Sequence, residues 1–110
     1  MVVGSTLMML GGAPYFSPAF GRGGLSAVFS CEALQFSGPG VTLLVTVEHK
    51  NNEDLLFVPL GAFPPILAVG VTPLALTGIK EQVRFTYTVA GAVPTDAAHF
   101  AMLAPAWRPY

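Results

Sequence analysis

The side chains best suited to chemistry in this chain are two histidines, a single cysteine and a small group of carboxylates. A zinc site needs three or four convergent His, Cys or carboxylate ligands, and His49, His99 and Cys31 do not have the spacing of such ligands. A cysteine nucleophile needs a base, a group that orients the base and an oxyanion hole, and nothing in the sequence supplies them. We therefore predict that both histidines are structural and that Cys31 is a buried, small apolar residue.

Three carboxylates lie close together in sequence, at Glu48, Glu53 and Asp54. Calcium sites need about six to eight oxygen ligands from a shaped loop, and the stretch 49–54 lacks the required spacing and glycine. This polar stretch separates two apolar segments, which favours a solvated hairpin tip. The sequence therefore predicts no catalytic residue, no metal ligand and no cofactor.

The chain is poor in charge for its hydrophobic content, with 53% hydrophobic and 10% charged residues. Soluble domains carry about 25% charged residues, and large exposed apolar patches usually mark interfaces, so we expect partner subunits to cover part of the surface. The net charge of -1 gives no basic field for a nucleic acid. A membrane span needs about 20 consecutive apolar residues, and Gly and Pro interrupt every apolar run before it reaches that length. A lone cysteine favours synthesis inside a cell.

The clearest element is the stretch 82–89, in which apolar and polar residues alternate strictly. Val83, Phe85, Tyr87 and Val89 occupy every second position, and Arg84, Thr86 and Thr88 lie between them. A period of two predicts a strand with one buried face. We expect the four apolar side chains to point into the core.

Other short segments between Gly- and Pro-rich turns also have strand character, and no helical period separates them. The predicted strands are 25–31, 33–36, 41–48, 55–60, 66–71, 74–76, 82–89 and 98–103, with a bulge at Glu32–Ala33. Seven or eight strands at this spacing predict an all-β antiparallel sandwich or jelly roll. The domain is expected to span 25–103, between an extended apolar arm at 1–24 and an extended tail at 104–110.

The two terminal segments are too apolar to be solvated tails. The arm either folds back on its own domain or reaches across to a neighbouring copy, and we predict that neighbouring subunits order both segments. Aromatic residues and arginine are the usual anchors of protein interfaces, although aromatic residues can also form a platform for sugars. The predicted interface residues are Tyr15, Phe16, Phe20, Trp107, Arg108 and Tyr110.

One part of the sequence, 46–61, resembles a segment of discoidin-like (galactose-binding-like) jelly rolls. In that family a strand enters a polar hairpin tip, and the next strand carries an aromatic residue and a short apolar-Gly ending. The stretch 78–89 is similar to the family's strand in which a basic residue follows a turn. This chain has Phe57 where the family has Trp, and it lacks the paired cysteines and the Asp, Asn or Arg cluster of the family's ligand site. The residues that match the first segment are Val45, Val47, Asn51, Asn52, Asp54, Phe57, Leu60 and Gly61.

The resemblance implies the fold and no binding residues. Short chains of this kind occur among tailed-phage structural proteins, including head decoration proteins. The leading hypothesis is therefore a non-enzymatic structural protein that assembles with copies of itself or attaches to the major protein of a larger symmetric shell, as a virion component assembled in the host cytoplasm. The alternative is a carbohydrate-binding jelly-roll module that uses the loops 37–40 and 92–96.

Overall fold

The computed structural model describes residues 7–10, 15–17, 19–36, 40–90, 97–103 and 105–108. This part of the chain is all-β, and it contains no helix long and apolar enough to cross a membrane. Its ten strands are β1 (Leu7–Leu10), β2 (Tyr15–Phe16), β3 (Phe20–Gly21), β4 (Ser26–Phe36), β5 (Thr42–Lys50), β6 (Val58–Ala62), β7 (Gly70–Thr77), β8 (Gln82–Ala90), β9 (Ala97–Met102) and β10 (Ala106–Arg108).

The strands form two antiparallel sheets of five strands each. In sheet I, β7 pairs with one edge of β4, and β9 and β10 pair one after the other with its other edge. β1 pairs with β9. In sheet II, β8 lies between β5 and the short strands β2 and β3, and β6 pairs with the far side of β5. The predicted antiparallel β-sandwich is confirmed, whereas the jelly-roll connectivity stays a prediction.

The core lies between the two sheets and follows the alternation of the sequence. In β8 the apolar residues Val83, Phe85, Tyr87 and Val89 are buried and the residues between them are not, as predicted. β5 repeats the pattern with Leu43, Val45 and Val47. Because β4, β5, β8 and β9 each turn apolar side chains inward, the largest buried side chains meet across the interior. These include Phe29 of β4, Phe85 of β8 and Phe100 of β9.

Three elements differ from the prediction. β4 is one continuous strand whose register shifts between Ala33 and Gln35, so the irregularity lies after the predicted bulge. The residues 55–57 precede β6 instead of opening it. β7 is one strand that runs through Pro73. An edge strand tolerates a proline because one row of its N–H groups has no ladder partner to supply.

The described parts of both terminal segments pair with the sandwich. β1 joins sheet I, β2 and β3 lie along β8, and β10 lies along β4. Ser17, between β2 and β3, is fixed to the same edge, because its N–H donates to the carbonyl oxygen of Phe85 and its Oγ accepts from the N–H of Phe85, both at 2.8 Å. The described residues before 24 and after 104, which were expected to lie outside the domain, therefore contribute strands to the two sheets.

Candidate interaction surface

Two of the predicted interface anchors, Phe20 and Trp107, are partly buried against the core of their own domain. Their rings form a closed cluster with Phe29 and Phe85. The ring centroids of Phe20 and Phe85 are 5.5 Å apart, and Trp107 lies 5.9 Å from Phe29 and 6.5 Å from Phe20. Offset and edge-to-face aromatic pairs at such distances are favourable. These two residues thus close one end of the sandwich, and their contact with a neighbouring copy stays a prediction.

Two adjacent glycines allow this closure, because β10 passes close to the chain that enters β4. A Cβ atom at Gly23 would lie 2.6 Å from Cδ1 of Trp107, and one at Gly24 would overlap the carbonyl group of Arg108. The sequence alone predicted an extended arm here. The glycines instead provide space for a packed neighbour.

Phe16, another predicted anchor, is exposed at 55%. The guanidinium carbon of Arg84 lies 4.4 Å from the ring centroid of Phe16 and 4.4 Å from that of Phe57. Nε of Arg84 also donates to Oε1 of Glu48 at 2.7 Å. A guanidinium held between two rings and a carboxylate has little capacity left for a ligand. This cluster therefore holds the N-terminal segment and residue 57 on the outer face of sheet II.

The other predicted anchors have different positions. Arg108 is exposed at the end of β10. The backbone of Tyr15 pairs with Tyr87 in sheet II, but its side chain lies outside the described part of the structure. Tyr110 also lies outside the described residues, as do 37–39 and 91–96, which hold most of the two loops of the carbohydrate alternative.

The residues considered for chemistry have structural surroundings. Cys31 is a fully buried free thiol, and burial raises its pKa to about 12. His49 was expected at an exposed tip but lies buried at the end of β5, where Nδ1 accepts from the N–H of Lys80 at 3.2 Å. Burial first, and then the nearby Lys80 charge, lower its pKa. Among the described residues, no group of three or more His, Cys, Asp and Glu side chains could hold a metal ion.

The polar loop after β5 presents two leucines to solvent. Leu55 is 94% exposed and Leu56 is 78% exposed, and we call this pair the leucine tip. Asp54 fixes the loop, since its carboxylate accepts from the N–H of Asn51 at 3.0 Å and its carbonyl accepts from Nζ of Lys50 at 3.0 Å. The leucine tip therefore follows an ordered turn.

Hydrogen bonds to the start of β8 hold the same loop from the other side. The N–H of Asn52 donates to Oε1 of Glu81 at 3.0 Å, and Nε2 of Gln82 donates to Oδ1 of Asn52 at 2.8 Å. The sequence predicted a strand at 55–60, which includes Leu55 and Leu56. Two adjacent leucines directly after the charged Asp54 break the alternation of polar and apolar residues, and this break was the evidence against a strand.

The outer faces of the two sheets differ in polarity. The outer face of sheet II carries charged residues and a set of threonines on β5 and β8. The five strands of sheet I carry only two charged residues, Glu32 in β4 and Arg108 in β10. Between them the outer positions of β4 and β7 are small or apolar: Ser26, Val28, Ser30, Val71, Pro73, Ala75 and Thr77.

The outer face of sheet I contains an open apolar depression of about 480 Å³ at its Arg108 end. Its lining comes from the start of β4, the end of β7 and the end of β10: Leu25, Ser26, Ala27, Val28, Ala75, Leu76, Thr77, Gly78 and Arg108. At the other end of this face, Val71 is 55% exposed and is the cross-strand partner of Glu32. One end is therefore concave and carries a cation, and the other end carries an exposed apolar side chain beside an anion.

No protein-family model, no curated protein and no solved structure matches this chain.

Proposed function

We propose that this protein is a non-enzymatic structural subunit that assembles with copies of itself or attaches to a larger symmetric protein shell, as a virion component. The observation that carries the proposal is the leucine tip, two adjacent leucines that are 94% and 78% exposed on an ordered loop. Single exposed apolar residues are common on soluble proteins. Two neighbouring leucines on a hydrogen-bonded turn instead form a contiguous exposed apolar patch, and such patches mark interaction sites.

The free energy of such a contact supports the same function. Burying a leucine contributes about 1.5–3 kcal/mol relative to leaving it exposed. Binding normally loses part of this gain when a flexible loop becomes ordered. Here the contacts of Asp54 and Asn52 have already ordered the loop, so more of the gain is available for association.

A second group of exposed apolar residues lies at the opposite end of the sandwich. Leu67 and Val69 are both 66% exposed in the connection that leads from β6 to β7. Val58 pairs with His49 near the leucine tip, whereas Ile66 bridges to Leu43 at the far end of β5. A subunit with apolar contacts at both ends can touch two neighbours, which is what an extended or closed assembly needs.

The state of Cys31 supports a non-enzymatic role. The thiolate is the nucleophilic form of cysteine, and burial raises the pKa of this thiol to about 12. Placement in a virion and assembly in a host cytoplasm depend on the resemblance to small tailed-phage jelly rolls, and they are part of the same proposal.

Size-exclusion chromatography with light scattering tests the assembly. The full-length chain should have a mass above that of one chain, and this mass should fall when both leucines are replaced, as Leu55→Ser with Leu56→Ser. The paired replacement Thr86→Ser with Thr88→Ser on the outer face of sheet II is the matched control and should leave the mass unchanged. A monomeric native chain that binds glycans on an array would overturn the proposal and favour the carbohydrate-binding alternative.

A further inference from the structure

We propose that the outer face of sheet I is a self-complementary interface through which two copies of this chain form a two-fold dimer. This inference depends on the proposed function and deepens it, because it names the partner as a second copy and the face as β4, β7 and β10. The observation behind it is the arrangement of one cation, one anion, one depression and one exposed valine on a sheet face that is otherwise small or apolar.

The charges lie at opposite ends of the face. Arg108 pairs with Ser26 at the start of β4, and Glu32 lies six residues later on the same strand. At about 3.3 Å per residue, the two positions are about 20 Å apart along the strand. The midpoint of β4 between them is Phe29, whose side chain faces the core.

A two-fold axis parallel to the sheet and perpendicular to β4 at Phe29 would exchange these two ends. It would place Arg108 of one copy near Glu32 of the other, and the same pair would form a second time by symmetry. An interface of this isologous kind must be complementary to itself. A cation and an anion at equal distances on opposite sides of one axis meet that condition.

The shape of the face is also compatible with this two-fold rotation. The exposed Val71 is the cross-strand partner of Glu32, and the depression lies beside Arg108. The axis would bring the valine of each copy over the depression of the other. An apolar side chain would then fill an apolar recess at the same time as the flanking charges pair.

The size of the face predicts a reversible dimer. β4 and β7 pair over eight positions and β10 adds three, which at about 3.3 Å per residue and about 4.8 Å between strands gives a flat footprint of about 300 Å² per copy. Stable interfaces bury about 800 Å² per partner. We therefore expect a dimer whose population rises with protein concentration.

Charge reversal tests the arrangement on the full-length chain, with the dimer dissociation constant measured by sedimentation equilibrium. Arg108→Glu and Glu32→Arg should each weaken the dimer by about tenfold or more, because each change replaces two attractive pairs by two repulsive ones. The double reversal should restore the native dissociation constant. Val71→Asp, on a different strand, should also weaken the dimer.

Glu53→Arg changes the net charge as Glu32→Arg does, and it lies in the exposed loop after β5, so it should leave the dimer unchanged. The fluorescence of Trp107 reports whether each variant keeps β10 packed. If the native chain associates but the reversals have no effect, or if the double reversal does not restore association, this interface is wrong while the proposed function survives. If the native chain remains monomeric at every concentration, the dimer and the self-assembly form of the proposed function both fail.

Discussion

His49 shows how this sandwich accommodates a polar side chain in its interior. Its Nδ1 accepts a hydrogen bond from the N–H of Lys80, so the proton of the neutral ring is on Nε2. Protonation of Nδ1 would replace that acceptor by a donor. Burial and the charge of Lys80 oppose protonation as well, and both lower the pKa of the ring.

The first prediction is a pH-dependent loss of stability caused by His49. Its folded-state pKa lies below the ordinary value of about 6.5, so the unfolded chain takes up the proton first as the pH falls. The contribution to stability is therefore present above about pH 6.5 and is lost below it, by at most about 1.4 kcal/mol per pH unit. Urea unfolding at neutral and mildly acidic pH measures this loss.

His49→Gln keeps an acceptor for the N–H of Lys80 but cannot take up a proton. This variant should lose less stability than the native chain over the same pH range. His99→Gln, which leaves His49 in place, is the matched control and should behave as the native chain does. Equal pH dependence in the native chain and in His49→Gln would contradict this explanation.

At the scale of the strands, alternation was sufficient to predict β5 and β8. Both are central strands with one buried face. An apolar side chain such as Val45 or Phe85 therefore points into the core, and a polar side chain points away from it. The same signal failed at the edges. β7 is an edge strand whose side chains are all exposed or half-buried, and Pro73 suggested a break that tertiary pairing with β4 overrides.

The terminal aromatic residues could not be assigned from sequence for a related reason. A β-strand of two or three residues, such as β3 or β10, is too short to show a period. Phe20 pairs with Val83, 63 residues away, and Trp107 pairs with Ala27, 80 residues away. Glu32 and Arg108 are also far apart in sequence, so their common sheet became visible only with the register.

The second prediction concerns the closure between β10 and the chain before β4. A Cβ atom at Gly24 would overlap the carbonyl group of Arg108, whereas one at Gly21 would have no atom within 4 Å. Gly24→Ala should therefore displace β10 and cost about 1–3 kcal/mol, as other overpacking changes do. Gly21→Ala should stay within about 0.5 kcal/mol of the native chain.

Trp107 is the only tryptophan, so its emission follows this displacement directly. We expect the emission of Gly24→Ala to shift towards that of exposed indole in the folded state, with a lower urea midpoint. The emission of Gly21→Ala should match that of the native chain. An unchanged midpoint and emission in Gly24→Ala would mean that β10 does not lie against residues 23 and 24.

At the scale of the whole molecule, the few charged residues are unevenly distributed between the two sheets. Most charged residues lie on or beside β5, β8 and the loop between β5 and β6, where they hold the turn and cover the outer face of sheet II. Sheet I has Glu32 and Arg108 alone. The outer face of sheet I is therefore the less polar of the two, which is what the proposed assembly requires.

The last prediction separates the two roles of the N-terminal segment, as part of the sandwich and as part of an interface. Deleting residues 2–20 removes β1, β2 and Phe20, and it exposes the edge of β8 and one side of the cluster of Phe29, Phe85 and Trp107. Loss of a fully buried phenylalanine costs about 3–5 kcal/mol, and loss of the partly buried Phe20 should cost a part of that in addition to the lost strand pairing. Domains have a total stability of about 5–15 kcal/mol, so the truncated chain should be largely destabilised as a monomer.

Thermal unfolding monitored by circular dichroism, in dilute solution, measures this effect. A chain that lacks only residues 2–6 keeps every described strand and is the matched control, with an expected unfolding temperature near that of the native chain. A truncated chain that unfolds at the native temperature and remains monomeric would show that the segment serves association rather than folding. Because Phe20 packs 5.5 Å from Phe85, we expect the opposite result, in which the segment is needed for the fold before any contact with a neighbour forms.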